Sequence, residues 1–512
     1  MPLPCLAPLR RQTRRVRLAL SGSVLGLALL GLPGCALSAA LQLPAPVRVA
    51  LHRADVPEEA LSALVVAADG PAMERLRYQA GMEVNPASVM KLVTTYAALD
   101  MLGPDYTWNT GFHTDGEVVD GVLRGNLYVR GSGDPKLVLE RLEATFVRLQ
   151  EMGVRVILGD MVLDHGAFDL PPHDPAAFDG EALRPYNAAP DALLVNFKSV
   201  VLHFAPDFGA RVAHVRSEPP MEGLAIDATV PLSRRACGDW RGALRARFDD
   251  ASQIRFEGSY PQSCGEREWP VAYQDPDSYA ARAMEGLWRA TGGSITGRVR
   301  PGSTPPDAHL LLEAPSLPLS EIITDVNQWS NNVMAQQVFL TLGRLPPTPA
   351  VTESRLADRL TPAPTPSRTG RFESAREVVT QWWRRTLGTR LPPPVMENGA
   401  GLSRVDRVTA DALGALLRHA AAHPNGAHFV QSLSLAGVNG TATRYARAPG
   451  SLARGNAWLK TGTLRDVTGV AGYVMAANGQ RYAVVAIVNH DRAPQARPAL
   501  DALIDWVAAI RD

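Results

Sequence analysis

The sequence predicts a mixed α/β protein of the α+β kind. One antiparallel sheet is built from both ends of the chain and packed between helices, and a large β-rich insert fills the middle. Three observations predict this. Near the C-terminus, the strand-like runs Gly469 to Ala476 and Tyr482 to Val488 flank Asn478-Gly479, a type I′ hairpin signal. Near the N-terminus, Leu61 to Ala67 and a stretch near Arg75 to Ala80 read as a second hairpin, followed directly by a helix. Between residues 112 and 304 the texture changes to short strand-like runs punctuated by Gly, Asp and Pro.

In chain order, residues 1–40 read as an export signal. Arg10, Arg11, Arg14, Arg15 and Arg17 form a basic head, an apolar run spans Leu18 to Leu32, and Ser38-Ala39-Ala40 offers a cleavage site. The run is too short for a transmembrane helix, so a periplasmic protein is expected. Leu32-Pro33-Gly34-Cys35 also resembles a lipoprotein cleavage box, with Pro33 an awkward fit, so a membrane partner is expected only if Cys35 is lipidated. After the first hairpin, Asn85 suits a helix N-cap and Pro86 the first helical position. Val89, Leu92, Val93, Tyr96, Ala97 and Leu99 then recur at helical spacing until Gly103-Pro104 stops the helix.

The insert, 112–304, holds strand-like runs at Val122 to Arg130, Val154 to Leu163, Leu193 to Phe204 and Ala243 to Phe256, and two subdomains are expected in it. Helices return with the apolar-periodic stretch Leu319 to Leu342. A Pro-rich loop, 345–371, follows. Gly455 to Thr461 reads as a strand and Pro498 to Arg511 as a closing helix. Residues 41–111 and 305–512 together form the domain that carries the chemistry.

The net charge of +1 leaves no electrostatic footprint for nucleic acid, and no nucleic-acid partner is expected. Lys and Arg total 52, yet Lys91, Lys136, Lys198 and Lys460 are the only lysines. Genomic base composition accounts for the bias. A surviving lysine is still informative, because lysine gives up its proton in a suitable site and arginine does not. Beyond the signal the cysteines are Cys237 and Cys264. In an exported protein such a pair reads as one disulfide, two buried thiols being the other reading.

Three short motifs carry chemistry. Ser88-Val89-Met90-Lys91 places a serine and a lysine on one face of a helix start. Serine is a weak nucleophile that needs a base, and a buried lysine near another cation supplies one. From a loop between helices, Ser330 and Asn332 of Ser330-Asn331-Asn332 can both point into a cleft, a hydroxyl to relay a proton and an amide to hold a carbonyl. Lys460-Thr461-Gly462-Thr463 joins a cation, two carboxylate-binding hydroxyls and a bare stretch of backbone at a strand edge. Each motif alone matches a surface lysine, a helix cap or a polar turn. Together and in this order they match the S-x-x-K, S-D-N and K-T-G set, with Asn331 where the set has Asp.

The surrounding words narrow this further: Asn85-Pro86-Ala87-Ser88, Leu127 to Pro135, Asn398-Gly399-Ala400-Gly401-Leu402-Ser403-Arg404 and Ala436 to Thr441. With them the chain, from about residue 50 to its end, resembles the class C low-molecular-mass penicillin-binding proteins of the peptidase S13 family, D-alanyl-D-alanine carboxypeptidases and endopeptidases. The resemblance implies a serine β-lactamase/transpeptidase-like domain carrying the insert, and an acyl-enzyme at Ser88 with Lys91 as base. It also implies a proton relay through Ser330 and Lys460, with Asn332 positioning the acyl chain and Thr461, Gly462 and Thr463 binding substrate. Arg404 and Asp164 become candidates for the charged end of a diaminopimelate side chain. Arg465, where some relatives carry a neutral polar residue, sits oddly in that pocket. Peptidoglycan peptides and β-lactams are the expected partners, and no metal or cofactor is expected. The competing readings are a β-lactamase and a catalytically silent peptidoglycan binder. The long insert and the lack of a deacylating glutamate motif oppose the first, and the intact motifs oppose the second.

Overall fold

The computed structural model describes residues 42–346 and 366–512. The export signal, Cys35 and most of the Pro-rich stretch lie outside the described residues. At the centre is a six-stranded sheet in the order Glu74–Tyr78, Leu61–Ala67, Arg481–Asn489, Val467–Met475, Ala457–Leu464, Ser434–Leu435. Every pairing in it is antiparallel. The first and last parts of the chain therefore meet as neighbours, Leu61 opposite Val488 and Ala67 opposite Tyr482.

Both faces of this sheet are covered, which explains why its inner strands are largely apolar rather than alternating. Leu64, Val66, Ala471, Tyr473, Val485 and Ile487 face one core, with Val93, Tyr96, Ile322, Val338, Trp383 and Leu416 from the helices Lys91–Leu102, Leu319–Trp329, Asn332–Leu342, Phe372–Leu387 and Ala410–Ala422. Their neighbours Ala63, Val65, Val470, Val484 and Ala486 face a second core against Val47 and Leu51 of Ala45–Arg53 and Leu500, Leu503 and Val507 of Arg497–Ala508. Successive strand residues alternate between the two cores, the period of two that a strand imposes.

The inserted region leaves along the strand Asn109–Thr114 and returns along His309–Pro315, and these two strands pair with each other. They belong to a five-stranded sheet completed by Leu127–Arg130, Met161–Asp164 and Val299–Pro301. A second five-stranded sheet centres on Ser199–Asp207 and Val212–Glu218. The helices Leu139–Glu151 and Pro276–Ala290 add an α component that the strand-like texture did not announce. One continuous apolar cluster, from Phe112 and Phe146 to Tyr260 and Trp288, runs through the whole region. Cys237 and Cys264 lie here, joined sulfur to sulfur with their Cα atoms 4.8 Å apart.

Two local departures from the expected helices shape the site. The stretch Leu319 to Leu342 is two helices, broken at Ser330, whose φ of 61° is left-handed. Asn331 caps the second helix by accepting from the Met334 amide at 3.0 Å. Before the first motif, Asn85 does not cap the helix: its Oδ1 accepts from the Ala87 amide at 2.9 Å in a turn that precedes it. The backbone then passes through a left-handed Ala87 (φ 47°) and a short 3₁₀ turn, Ala87–Met90, and the α-helix begins only at Lys91. Pro86 thus sits one step before the 3₁₀ turn rather than in the first turn of the α-helix.

Candidate active site

The nucleophile turn is held from several sides. Asn85 donates to the Ser403 carbonyl at 2.8 Å and exchanges two hydrogen bonds with Asn489 at the end of a central strand, at 2.8 and 2.9 Å. A Cβ on Gly462 would sit 2.6 Å from the Pro86 carbonyl oxygen and 3.2 Å from the Ser88 amide, so only glycine lets the Lys460 strand lie this close to the serine. Gly401 has a φ of +73°, and a Cβ there would strike the Ala87 carbonyl, which requires glycine on the other flank as well. Ser88 itself is half-buried, open enough to meet a substrate.

Lys91 is fully buried one helical turn behind Ser88. Its Nζ lies 2.9 Å from Ser88 Oγ, 2.7 Å from Asn332 Oδ1 and 2.5 Å from the Ala400 carbonyl oxygen. Asn332 turns its oxygen to the lysine because its own Nδ2 donates to the Tyr186 carbonyl at 3.2 Å. A neutral amine has two N–H bonds and one lone pair. Two of the three neighbours accept only, so the lone pair is left facing the serine hydroxyl. Burial, and then the charge of Lys460, push Lys91 well below the ordinary lysine pKa, while Asp406 pulls the other way. The neutral form that a base requires is thereby stabilised.

The second lysine sits in the central sheet. Lys460, also fully buried, donates to Ser330 Oγ at 2.9 Å and to the Thr461 carbonyl at 2.7 Å. The left-handed backbone of Ser330 turns its hydroxyl toward the strand. Burial, and then Arg444, bring Lys460 down to about 7, so near neutral pH it both holds and releases a proton. Thr461 Oγ1 donates to Thr441 Oγ1 at 2.9 Å, and Thr463, further along the strand, is exposed. Ser88, Lys91, Asn332 and Ala400 thus form one hydrogen-bonded group, and Ser330, Lys460, Thr461 and Thr441 a second. The two are linked through the charge of Lys460 felt at Lys91 and through Gly462 against the serine turn.

The remaining sequence candidates separate. Arg404 borders a cleft of about 560 Å³ that it shares with Phe178, Tyr186, Gln336 and Asn398. Its guanidinium stacks 4.6 Å from the Phe178 ring and pairs with Asp466 at 2.9 Å. Tyr186, whose carbonyl accepts from Asn332, lines this cleft too, although no motif residue does. Asp164 lies elsewhere. It ends the strand Met161–Asp164, accepts from the Gly166 and Thr304 amides at 2.9 and 2.8 Å, and lines a different cleft with Arg130 and Arg344. None of the motif residues is among its partners. The lysines outside the motifs are structural. Lys136 ion-pairs with Asp325 on the helix leading to Ser330, and Lys198 pairs at 2.8 Å with Asp191, whose amide is held by Gln337 of the following helix.

Ala400, Tyr186 and Thr441 escaped the sequence reading. Ala400 and Tyr186 act through backbone carbonyls, which leave no residue signature, although the Asn398 to Arg404 word marked the first of them.

Comparison with known proteins follows the same outline. The family model described as "D-Ala-D-Ala carboxypeptidase 3 (S13) family" matches residues 47–510. A D-alanyl-D-alanine carboxypeptidase of Actinomadura sp. (strain R39) is 27% identical over 456 residues, covering 83% of this chain and 77% of the relative. The D-alanyl-D-alanine carboxypeptidase DacB of Haemophilus influenzae is 23% identical over 410 residues, 79% of this chain and 80% of the relative. Penicillin binding protein 4 from Haemophilus influenzae superposes with a TM-score of 0.70 at 21% identity, covering 91% of this chain and 99% of that structure.

Proposed function

We propose, from the premise that this chain belongs to the D-Ala-D-Ala carboxypeptidase 3 (S13) family, that it is a serine-type D-Ala-D-Ala carboxypeptidase and DD-endopeptidase that acts on peptidoglycan stem peptides and cross-links and is inhibited by penicillin. The observation that carries the reading is the placement of Lys91 Nζ between two acceptor-only oxygens and Ser88 Oγ.

In this reading Ser88 Oγ attacks the carbonyl between two D-alanines while its proton passes to Lys91. The backbone amides of Ser88 and Thr463 receive the developing oxyanion. The C–N bond breaks as Ser330, fed by Lys460, gives a proton to the leaving amine. Asn332 positions the acyl chain, and water then cleaves the ester. Thr461 and Thr463 take the terminal carboxylate, and Arg404 takes a carboxylate of the stem peptide in exchange for Asp466. Asp164, bonded within its own loop, keeps only a secondary claim on an ammonium of that stem. A β-lactam acylates the same serine.

The test is incubation with cross-linked and uncross-linked muropeptides followed by product analysis. Release of D-alanine from pentapeptide stems and conversion of dimers to monomers are expected. Intact substrates with folded enzyme would defeat the reading.

Two further parts of the proposal concern the exported chain. Among the described residues no helix is long and apolar enough to cross a membrane, and export to the periplasm rests on the leader at 1–40. There the Cys237–Cys264 bond stabilises the insert by about 2–4 kcal/mol by restricting the unfolded chain. Non-reducing peptide mapping of periplasmic protein should recover the linked pair, and reduction should lower the melting temperature. Two free thiols in that material would contradict it.

A further inference from the structure

The word Asn398 to Arg404 belongs to a closed loop. Val395 and Arg407 exchange backbone hydrogen bonds at 2.9 and 3.0 Å at its base. Inside it, Asn398 bonds the Ala400 amide at 3.0 Å and the Leu402 carbonyl at 2.8 Å. Three of the loop's carbonyls grip the nucleophile segment: Gly399 accepts from Thr94 at 2.6 Å, Ala400 from Lys91 at 2.5 Å and Ser403 from Asn85 at 2.8 Å. Asp406 ties this loop shut. Its Oδ1 accepts from the Glu397 amide at 2.7 Å, and its own amide donates to Ser403 Oγ at 3.1 Å.

Asp406 is fully buried, and its Oδ2 meets no donor from the protein. A buried carboxylate with an unpartnered oxygen is costly unless a cation stabilises it. The charged groups around it are few. The Glu397 side chain is exposed and repels it. The Arg407 guanidinium is committed to the backbone carbonyls of Arg404 and Asp406, at 3.0 and 2.7 Å. Lys91 is the cation that attracts it, and Lys91 in turn also feels the charge of Lys460.

We infer that Asp406 is a positioning residue for the base: it closes the loop that holds the Ala400 carbonyl on Lys91, and its negative charge favours the proton on Lys91. The inference rests on the reading of Lys91 as the base. Burial and Lys460 both lower the basicity of Lys91, and a general base works best with a pKa near the operating pH. Asp406 offsets part of that. Burial pushes the Asp406 carboxyl up to about 6, against the pull of the Glu397 amide, so the charge is present at neutral pH and is lost below.

The lysine count makes the test direct. With four lysines in the chain, selective ¹³Cε-lysine labelling resolves each side chain, and the Lys91 signal is assigned by its loss in Lys91→Arg. In Asp406→Asn, which keeps an acceptor for the Glu397 amide, the Lys91 titration midpoint should fall by roughly one pH unit. The acid limb of the acylation rate should move down with it. Asp406→Ser is the second charge-free variant if the first does not fold. In the unaltered chain the Lys91 signal should also respond at the pH where the Asp406 carboxyl carbon titrates. A midpoint that stays or rises, or a Lys91 signal blind to Asp406 in the unaltered chain, overturns the inference. A Lys91 shift in a protein that never forms a penicillin adduct would instead sustain this inference and defeat the proposed function.

Discussion

Lys91→Arg should lose penicillin acylation almost completely, while Lys460→Arg should acylate at a measurable, reduced rate. The difference follows from what each lysine touches. Lys91 faces Ser88 Oγ with two acceptor-only neighbours, and its role requires a neutral amine for part of the cycle. Arginine stays protonated, so it has no lone pair to offer the serine. The loss should be on the order of the 10²–10⁴ attributed to general base catalysis, or more. Lys460 works through Ser330 and through its charge, and arginine preserves the charge while altering the geometry. A pH signature accompanies this. With Lys460 at about 7, its cationic share falls as pH rises through neutrality. If that cation assists acylation, the corresponding alkaline loss of rate should be absent in Lys460→Arg. Each variant must first show an unchanged melting profile, since arginine is larger and both sites are fully buried. Equal second-order acylation rates for the two variants would remove Lys91 as the base.

The residues of the three motifs were legible because the chemistry restricts residue type and spacing: a serine nucleophile needs a base, and a lysine three residues on in a helix start can supply it. The central sheet was legible for a related reason. Asn478-Gly479 specifies a tight hairpin, and Leu61–Ala67, apolar but for Ser62, fits a strand buried on both faces. What could not be read is what depends on backbone conformation or on distant chain. The polar Ser330-Asn331-Asn332 allowed a helix cap within Leu319 to Leu342, but both helices bury their faces in the same core, and nothing in the pattern announces the left-handed φ at Ser330. The Ala400 carbonyl and the buried Asp406 behind it reach Lys91 only through the folded loop. Arg404 borders a cleft that also carries Tyr186, and its partners Asp466 and Phe178 come from remote segments. Asp164 met its partners within its own sheet and loop instead.

The account places the covalent chemistry on one atom, Ser88 Oγ, and a labelled penicillin tests that most directly. Ser88 is the half-exposed hydroxyl beside the buried amine, held by Asn85, Gly401 and Gly462 in a turn that nothing larger than glycine would permit on either side. Ser88→Ala removes the nucleophile without adding bulk and leaves those contacts in place. Its acylation should therefore fall below detection while its melting profile is unchanged. Intact mass should show one adduct per unaltered chain, peptide mapping should place it on Ser88, and Ser88→Ala should show none. An adduct on any other residue, an adduct retained in Ser88→Ala, or no adduct on folded unaltered protein would contradict the account.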